Sequence, residues 1–132
     1  MPHKSKTTWL LIADGVAAQI YTVTFAPLHL EKLEGGRFKG KHTGSNRPDG
    51  HQRQENHFAA DVAAYINEAV RRRVLGRLVI AAPPRTLAEL RRDLSAEVHG
   101  LISLEVPAEW TKLPALDLLE HARKHMAVPA DT

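Results

Sequence analysis

Between Gly35 and Gln54 the chain carries Arg37, Lys39, Lys41, Arg47 and Arg53 among glycines, histidines and small polar residues, with Asp49 as the opposing charge. Flexible cations release counterions when they meet a nucleic-acid backbone, and glycines let the main chain approach phosphates closely. The same segment holds the triplet Gly50-His51-Gln52 and one aromatic residue, Phe38, as the stacking candidate for a base. Against this stands the plainer account of a solvated basic excursion, which needs no partner.

Other arrangements carry less. His42, His51 and His57 would have to converge to bind a metal, and their spacing matches no recognised ligand pattern. His121 and His125 are four residues apart, a helical spacing that suits solvent-facing cations near a helix C-terminus. Asp14 ends an apolar run, where a two-metal nuclease would place a carboxylate, with Asp61 and Glu55 as its partners; Asp14-Gly15 also reads simply as a hairpin turn. Ser45 lacks the G-x-S-x-G setting of an activated nucleophile. Arg85 follows Pro83-Pro84 at the end of a strand-like run, where open α/β sheets bind ligands, although the prolines alone account for a tight connection.

The elements that must position these residues follow from the hydropathy pattern. The chain has 132 residues, 43% of them hydrophobic, which is enough for a real core without staples. It has no cysteine, which removes disulfides, thiolate zinc sites and cysteine nucleophiles together. The net charge of +3 permits an acidic partner without demanding one. The apolar run from Trp9 to Ala13 is too short for a signal-peptide core, and no window approaches the roughly 18 apolar residues of a membrane span, so a cytoplasmic location is expected.

Thr8 to Ala13 reads as a strand buried on both faces, Ala17 to Val23 as its hairpin partner, and Leu28 to Glu34 as a third, edge-like strand. An irregular loop is expected over about 35–54. Phe58, Val62, Tyr65, Ile66, Ala69 and Val70 recur at helical spacing, with Gly76 as the expected C-terminal cap. Leu78 to Ala82 is a buried strand, and Thr86 with Glu89 fits a capping box for a helix bearing Leu87, Leu90 and Leu94. Leu101 to Val106 is the fifth strand. Pro114 opens a last helix whose expected buried stripe is Leu116, Leu119, Ala122 and Met126, ahead of a tail at about 126–132. The fold class is therefore α/β: a mixed five-stranded sheet, with an antiparallel meander of three strands plus two parallel strands, and about three helices in one domain, 1–132.

Three phrases, Trp9-Leu-Leu-Ile-Ala-Asp-Gly15, Leu78-Val-Ile-Ala-Ala-Pro-Pro-Arg85 and Thr111-Lys-Leu-Pro114 leading into Leu118-Leu-Glu-His121, resemble the bacterial family of proteins required for attachment to host cells, across nearly the whole chain. Trp110, just ahead of the last phrase, and Lys112 within it also resemble the family. That family is similar to the middle domain of archaeal and eukaryotic class I release factors and of Pelota, which implies a ribonuclease-H-like topology. In release factors a Gly-Gly-Gln sits in the loop before the long helix; here the corresponding stretch reads Gly50-His51-Gln52, a departure in which the first glycine falls on Asp49 or the pair is replaced by Gly50-His51, depending on alignment, so the resemblance leaves open a Pelota-like loop without Gly-Gly-Gln.

The expectation is thus a non-enzymatic member of that family that contacts a macromolecular partner through its basic segment. The alternatives are an RNA- or ribosome-associated factor and a metal-dependent nuclease. The candidate contact residues are Arg37, Lys39, Lys41, Arg47, Gly50, His51, Gln52, Arg53 and Arg85; no catalytic residue, metal ligand or cofactor is assigned. The expected partner is a ribosome or RNA, or another protein.

Overall fold

An uninterrupted apolar strand has no face to offer water, so both of its sides must be covered. The computed structural model, which describes residues 7–25, 27–40 and 48–126, with 48–57 as backbone alone, puts such a strand at the centre of the sheet. All six residues of β1 (Thr8–Ala13) are buried. Its neighbours are β2 (Ala17–Thr24), antiparallel, and β4 (Arg77–Ala81), parallel. Outside these lie β3 (His29–Lys39), antiparallel to β2, and β5 (Ile102–Val106), parallel to β4, giving the order β3-β2-β1-β4-β5. The expected mixed sheet is what forms, with four helices: α1 (Pro48–Arg71), α2 (Pro84–Asp93), α3 (Ala96–His99) and α4 (Ala115–His125). Among the described residues no helix is long and apolar enough to cross a membrane.

Alternation along the strands sends side chains to two separate cores. On one face Trp9, Leu11, Ile20, Leu78 and Ile80 meet Phe58, Val62 and Ile66 of α1, Leu87 and Leu90 of α2, and Val98 of α3. On the other, Leu10, Ile12, Val79 and Val106 meet Trp110 and Leu118 and Ala122 of α4. Each fully buried Leu or Ile contributes about 1.5–3 kcal/mol relative to exposure, so the two cores, rather than helix propensity, hold the layers together. Asn67 on α1 adds a polar tie: its amide donates to the Asp93 carbonyl at 3.2 Å, and its oxygen accepts from the Ser95 N–H at 2.9 Å.

Several local expectations are corrected. Much of the segment expected as an irregular loop, about 35–54, is regular: Gly35 to Lys39 continue β3, and α1 begins at Pro48, where proline's fixed φ and missing N–H suit a first helical turn, while 41–47 lie outside the described residues. Capping by Thr86 and Glu89 does not occur, because α2 starts three residues earlier, with Pro83 at the N-cap and Pro84 as its first residue, and leaves Thr86 buried inside it. In α4 the buried stripe is Leu118, Ala122 and Met126, while Leu116 is 80% exposed. The short α3, opened by Ser95 accepting from the Val98 N–H at 3.2 Å, was not foreseen.

The end of α1 differs too. Val74 N–H bonds the Ala69 carbonyl and Arg73 N–H bonds the Val70 carbonyl, both at 3.0 Å, with Arg73 at φ 61°. This is a Schellman closure in which an arginine, not Gly76, occupies the left-handed position. A non-glycine residue there costs roughly 1–2 kcal/mol. Arg73→Gly is therefore expected to stabilise the fold by about 1 kcal/mol in urea unfolding; an unchanged or lower midpoint would contradict the assignment.

Candidate functional site

Residues five apart on a regular strand point to opposite faces, yet Lys32 and Arg37 of β3 share one. The cause is an irregularity in the β2–β3 pairing. Gln19 lies opposite Arg37 but Tyr21 lies opposite Lys32, so the residues from Leu33 to Gly36 bulge out against Ile20 alone. Gly35 supplies the positive φ of 81° that the bulge requires. Gly36 is buried so tightly that an added Cβ would lie 3.0 Å from the Ile20 Cβ. The Gln19 amide donates to the Ile20 carbonyl at 2.9 Å and, more weakly, to the Gly36 carbonyl at 3.4 Å.

The result is a groove of about 260 Å³ on the sheet face that α4 covers only in part. Its walls include Gln19, Tyr21, Lys32, Arg37, Lys39 and Thr111. Lys32, Arg37 and Lys39 are all exposed, no carboxylate lines the groove, and no ion pair to any of the three occurs among the described residues. Burial pushes the Tyr21 phenol up from its ordinary pKa, so it stays a neutral donor.

At the neighbouring end of the sheet Asp14 closes the β1–β2 turn. Its Oδ1 accepts from the Val16 and Ala17 N–H groups, each at 2.8 Å, and its Oδ2 accepts from the Thr111 hydroxyl at 2.8 Å. The turn thus works through the Asp14 side chain and not through a positive φ at Gly15. Partial burial pushes the carboxyl upward, but the Val16 N–H, the Thr111 hydroxyl, the Ala17 N–H and the nearby Lys112 charge together outweigh it and hold the pKa below the ordinary value. Both oxygens are engaged in structure. Asp61 is exposed on α1, and among the described residues no three His, Asp or Glu side chains gather as a metal site; the Glu55 side chain lies outside the described residues.

Of the sequence candidates, Arg37 and Lys39 come together at the groove. Lys41 and Arg47 lie outside the described residues, as do His42 and Ser45. Gly50, His51, Gln52 and Arg53 fall in the opening turns of α1 instead of a loop, and their side chains, like that of His57, are not described. Phe38 is not a free stacking surface: it is half-buried, edge-on to Tyr65 at 5.4 Å between ring centroids. Arg85 stands apart from the groove at the start of α2 and pairs with Glu89 at 3.6 Å. His121 and His125 pack edge-on to the buried Trp110, at 5.7 and 5.4 Å. Sequence reasoning missed Gln19, Tyr21 and Lys32; the available signal was the Gly35-Gly36 pair with Phe38 resuming the inward pattern.

A family model described as protein required for attachment to host cells matches residues 30–122, well over half of the chain. The Leu78 to Arg85 and Thr111 to His121 phrases lie inside that span, and the Trp9 to Gly15 phrase precedes it. No curated protein matches significantly. Among solved structures, an archaeal translation termination factor superposes with a TM-score of 0.56 at 13% identity, over 92% of this chain and 39% of the factor. A structure described only as an archaeal protein gives a TM-score of 0.49 at 12% identity, over 91% of this chain and 37% of that one. The chain thus spans about two fifths of the length of the termination factor, and the likeness is one of fold.

Because the folded state holds Asp14 below its ordinary pKa, its ionised form stabilises the protein above the unfolded value, and that contribution is lost as pH falls through the folded one. Asp14→Asn is expected to lower stability by about 1–2 kcal/mol at pH 7, with the gap to wild type closing below about pH 4. Urea midpoints taken at pH 7, 5, 4 and 3 test this; a gap that does not change with pH would refute the ionised turn.

Proposed function

Since the chain belongs to the family of proteins required for attachment to host cells, we propose that it is a non-enzymatic binding protein whose β3 cations dock an acidic macromolecular partner. The observation that carries this is the alignment of Lys32, Arg37 and Lys39 along one groove that no carboxylate lines. Like charges held side by side repel one another, and a partner's anions relieve that repulsion. Lys41 and Arg47 extend the same basic segment in sequence toward α1, where Gly50, His51, Gln52 and Arg53 follow. Arg85, paired with Glu89, is a second and more distant contact in this reading. In this account the protein works in the cytoplasm.

A second reading, an RNA- or ribosome-associated factor, draws support from the fold shared with an archaeal translation termination factor. The two readings differ in which particle the protein follows. Sedimentation of a cell extract through a gradient at low and high salt, for wild type and for the combined Arg37→Glu, Lys39→Glu, Lys41→Glu variant, separates them. Wild type is expected to travel with a heavier species at low salt and to be released at high salt, and the variant to remain at the top throughout. Migration with ribosomal particles selects the second reading. A variant that sediments like wild type at every salt concentration would overturn docking through β3.

A further inference from the structure

We propose that the Gly35-Gly36 bulge builds an oxyanion site, in which Lys32, Arg37 and Lys39 together hold one phosphate-class group over Gln19, Tyr21 and Thr111. The inference rests on the docking reading in taking this face as the contact surface, and goes beyond it in naming the chemistry recognised.

Geometry is the first support. Without the bulge, Lys32 and Arg37 would point to opposite faces of β3, and the register shift opposite Ile20 brings both to the groove. The local structure is constrained to do so, since Gly35 has φ 81° and a Cβ added at Gly36 would lie 3.0 Å from the Ile20 Cβ, tighter than an ordinary contact. A bulge that served only to end the pairing would not be followed by three further paired residues, Arg37, Phe38 and Lys39.

Size and donor chemistry are the second. At about 260 Å³ the groove falls below the roughly 300–1,000 Å³ of pockets that enclose whole cofactors or drug-sized ligands, so it suits a single charged group. The Tyr21 phenol, neutral as any tyrosine is near pH 7, donates no hydrogen bond to another group among the described residues. Three cations and a neutral phenol, with no carboxylate in the lining, form a donor set that selects an anion with several acceptor oxygens. A phosphodiester of RNA and a free phosphorylated metabolite share that chemistry.

The test uses inorganic pyrophosphate as the probe, titrated into the full chain and followed by amide chemical shifts. Saturable shifts at Gln19, Tyr21 and Thr111 are expected, with affinity falling about three- to fivefold in Lys32→Gln and in Arg37→Gln and unchanged in Arg73→Gln, which removes the same charge at the far end of α1. Thermal unfolding of each variant guards against loss of fold. Weakening by Arg73→Gln equal to that by Arg37→Gln, or no saturable shift at the groove, would overturn the site. If pyrophosphate fails while wild type still sediments with a heavy species, the oxyanion site falls and docking stands. If pyrophosphate binds as expected, competition by a short single-stranded RNA that leaves the Arg37→Gln protein unaffected identifies the phosphodiester source, and its absence identifies the free metabolite.

Discussion

A strand that is apolar on both sides from Trp9 to Ala13, with its one polar side chain, Thr8, buried at its start, cannot lie at a surface, and the rest of the architecture answers to that requirement. One cover is substantial: α1, α2 and α3 close a core around Trp9, Leu11, Leu78 and Ile80. The other is slighter. A single helix of eleven residues, with Trp110 beneath it, seals Leu10, Ile12, Val79 and Val106. Its reach does not extend over the Ala17 to Gln19 stretch of β2, and there polar and cationic side chains replace apolar ones. The groove is what remains when one small helix has to cover one face of a five-stranded sheet.

Much of this was legible in the residues. The continuous apolar run predicted a strand buried on both faces because a half-exposed strand would alternate, and both of its boundaries agree with the structure. The two parallel strands and their helices followed from apolar runs separated by helical periodicity. Three features were hidden for physical reasons. Two glycines and a break in alternation look the same whether a strand ends or bulges, so β3 was expected to stop at Glu34 when it runs on to Lys39. Helix ends were misplaced where a strained arginine stood in for glycine at Arg73, and where two prolines overrode the capping preference of Thr86. In α4, Ala122 and Met126 agree with the expected stripe, but Leu118 joins them in place of Leu116, which lies exposed in the first turn.

The candidate site was only half visible for a related reason. Arg37 and Lys39 stand out in a basic stretch, but Lys32 belongs to a different run of sequence, and only the three-residue slip in pairing brings it alongside them. Gln19, Tyr21 and Thr111 carry no charge and sit on separate elements, so nothing local links them. Asp14 shows the converse. It looked like a possible metal ligand by position, and its carboxylate is instead the clasp that joins the β1–β2 turn to Thr111, just ahead of α4.

The chain's two tryptophans are divided between the two cores. Trp9 stacks on Tyr65 beneath α1, with ring centroids 6.1 Å apart, and Trp110 lies under His121 and His125 of α4. Each indole therefore gives its own fluorescence from one side of the sheet. A form of the protein keeping Trp9 would report whether the large helical layer is seated, and one keeping Trp110 would report the same for the small layer. The loosening of one layer while the other stays closed could then be seen by emission alone.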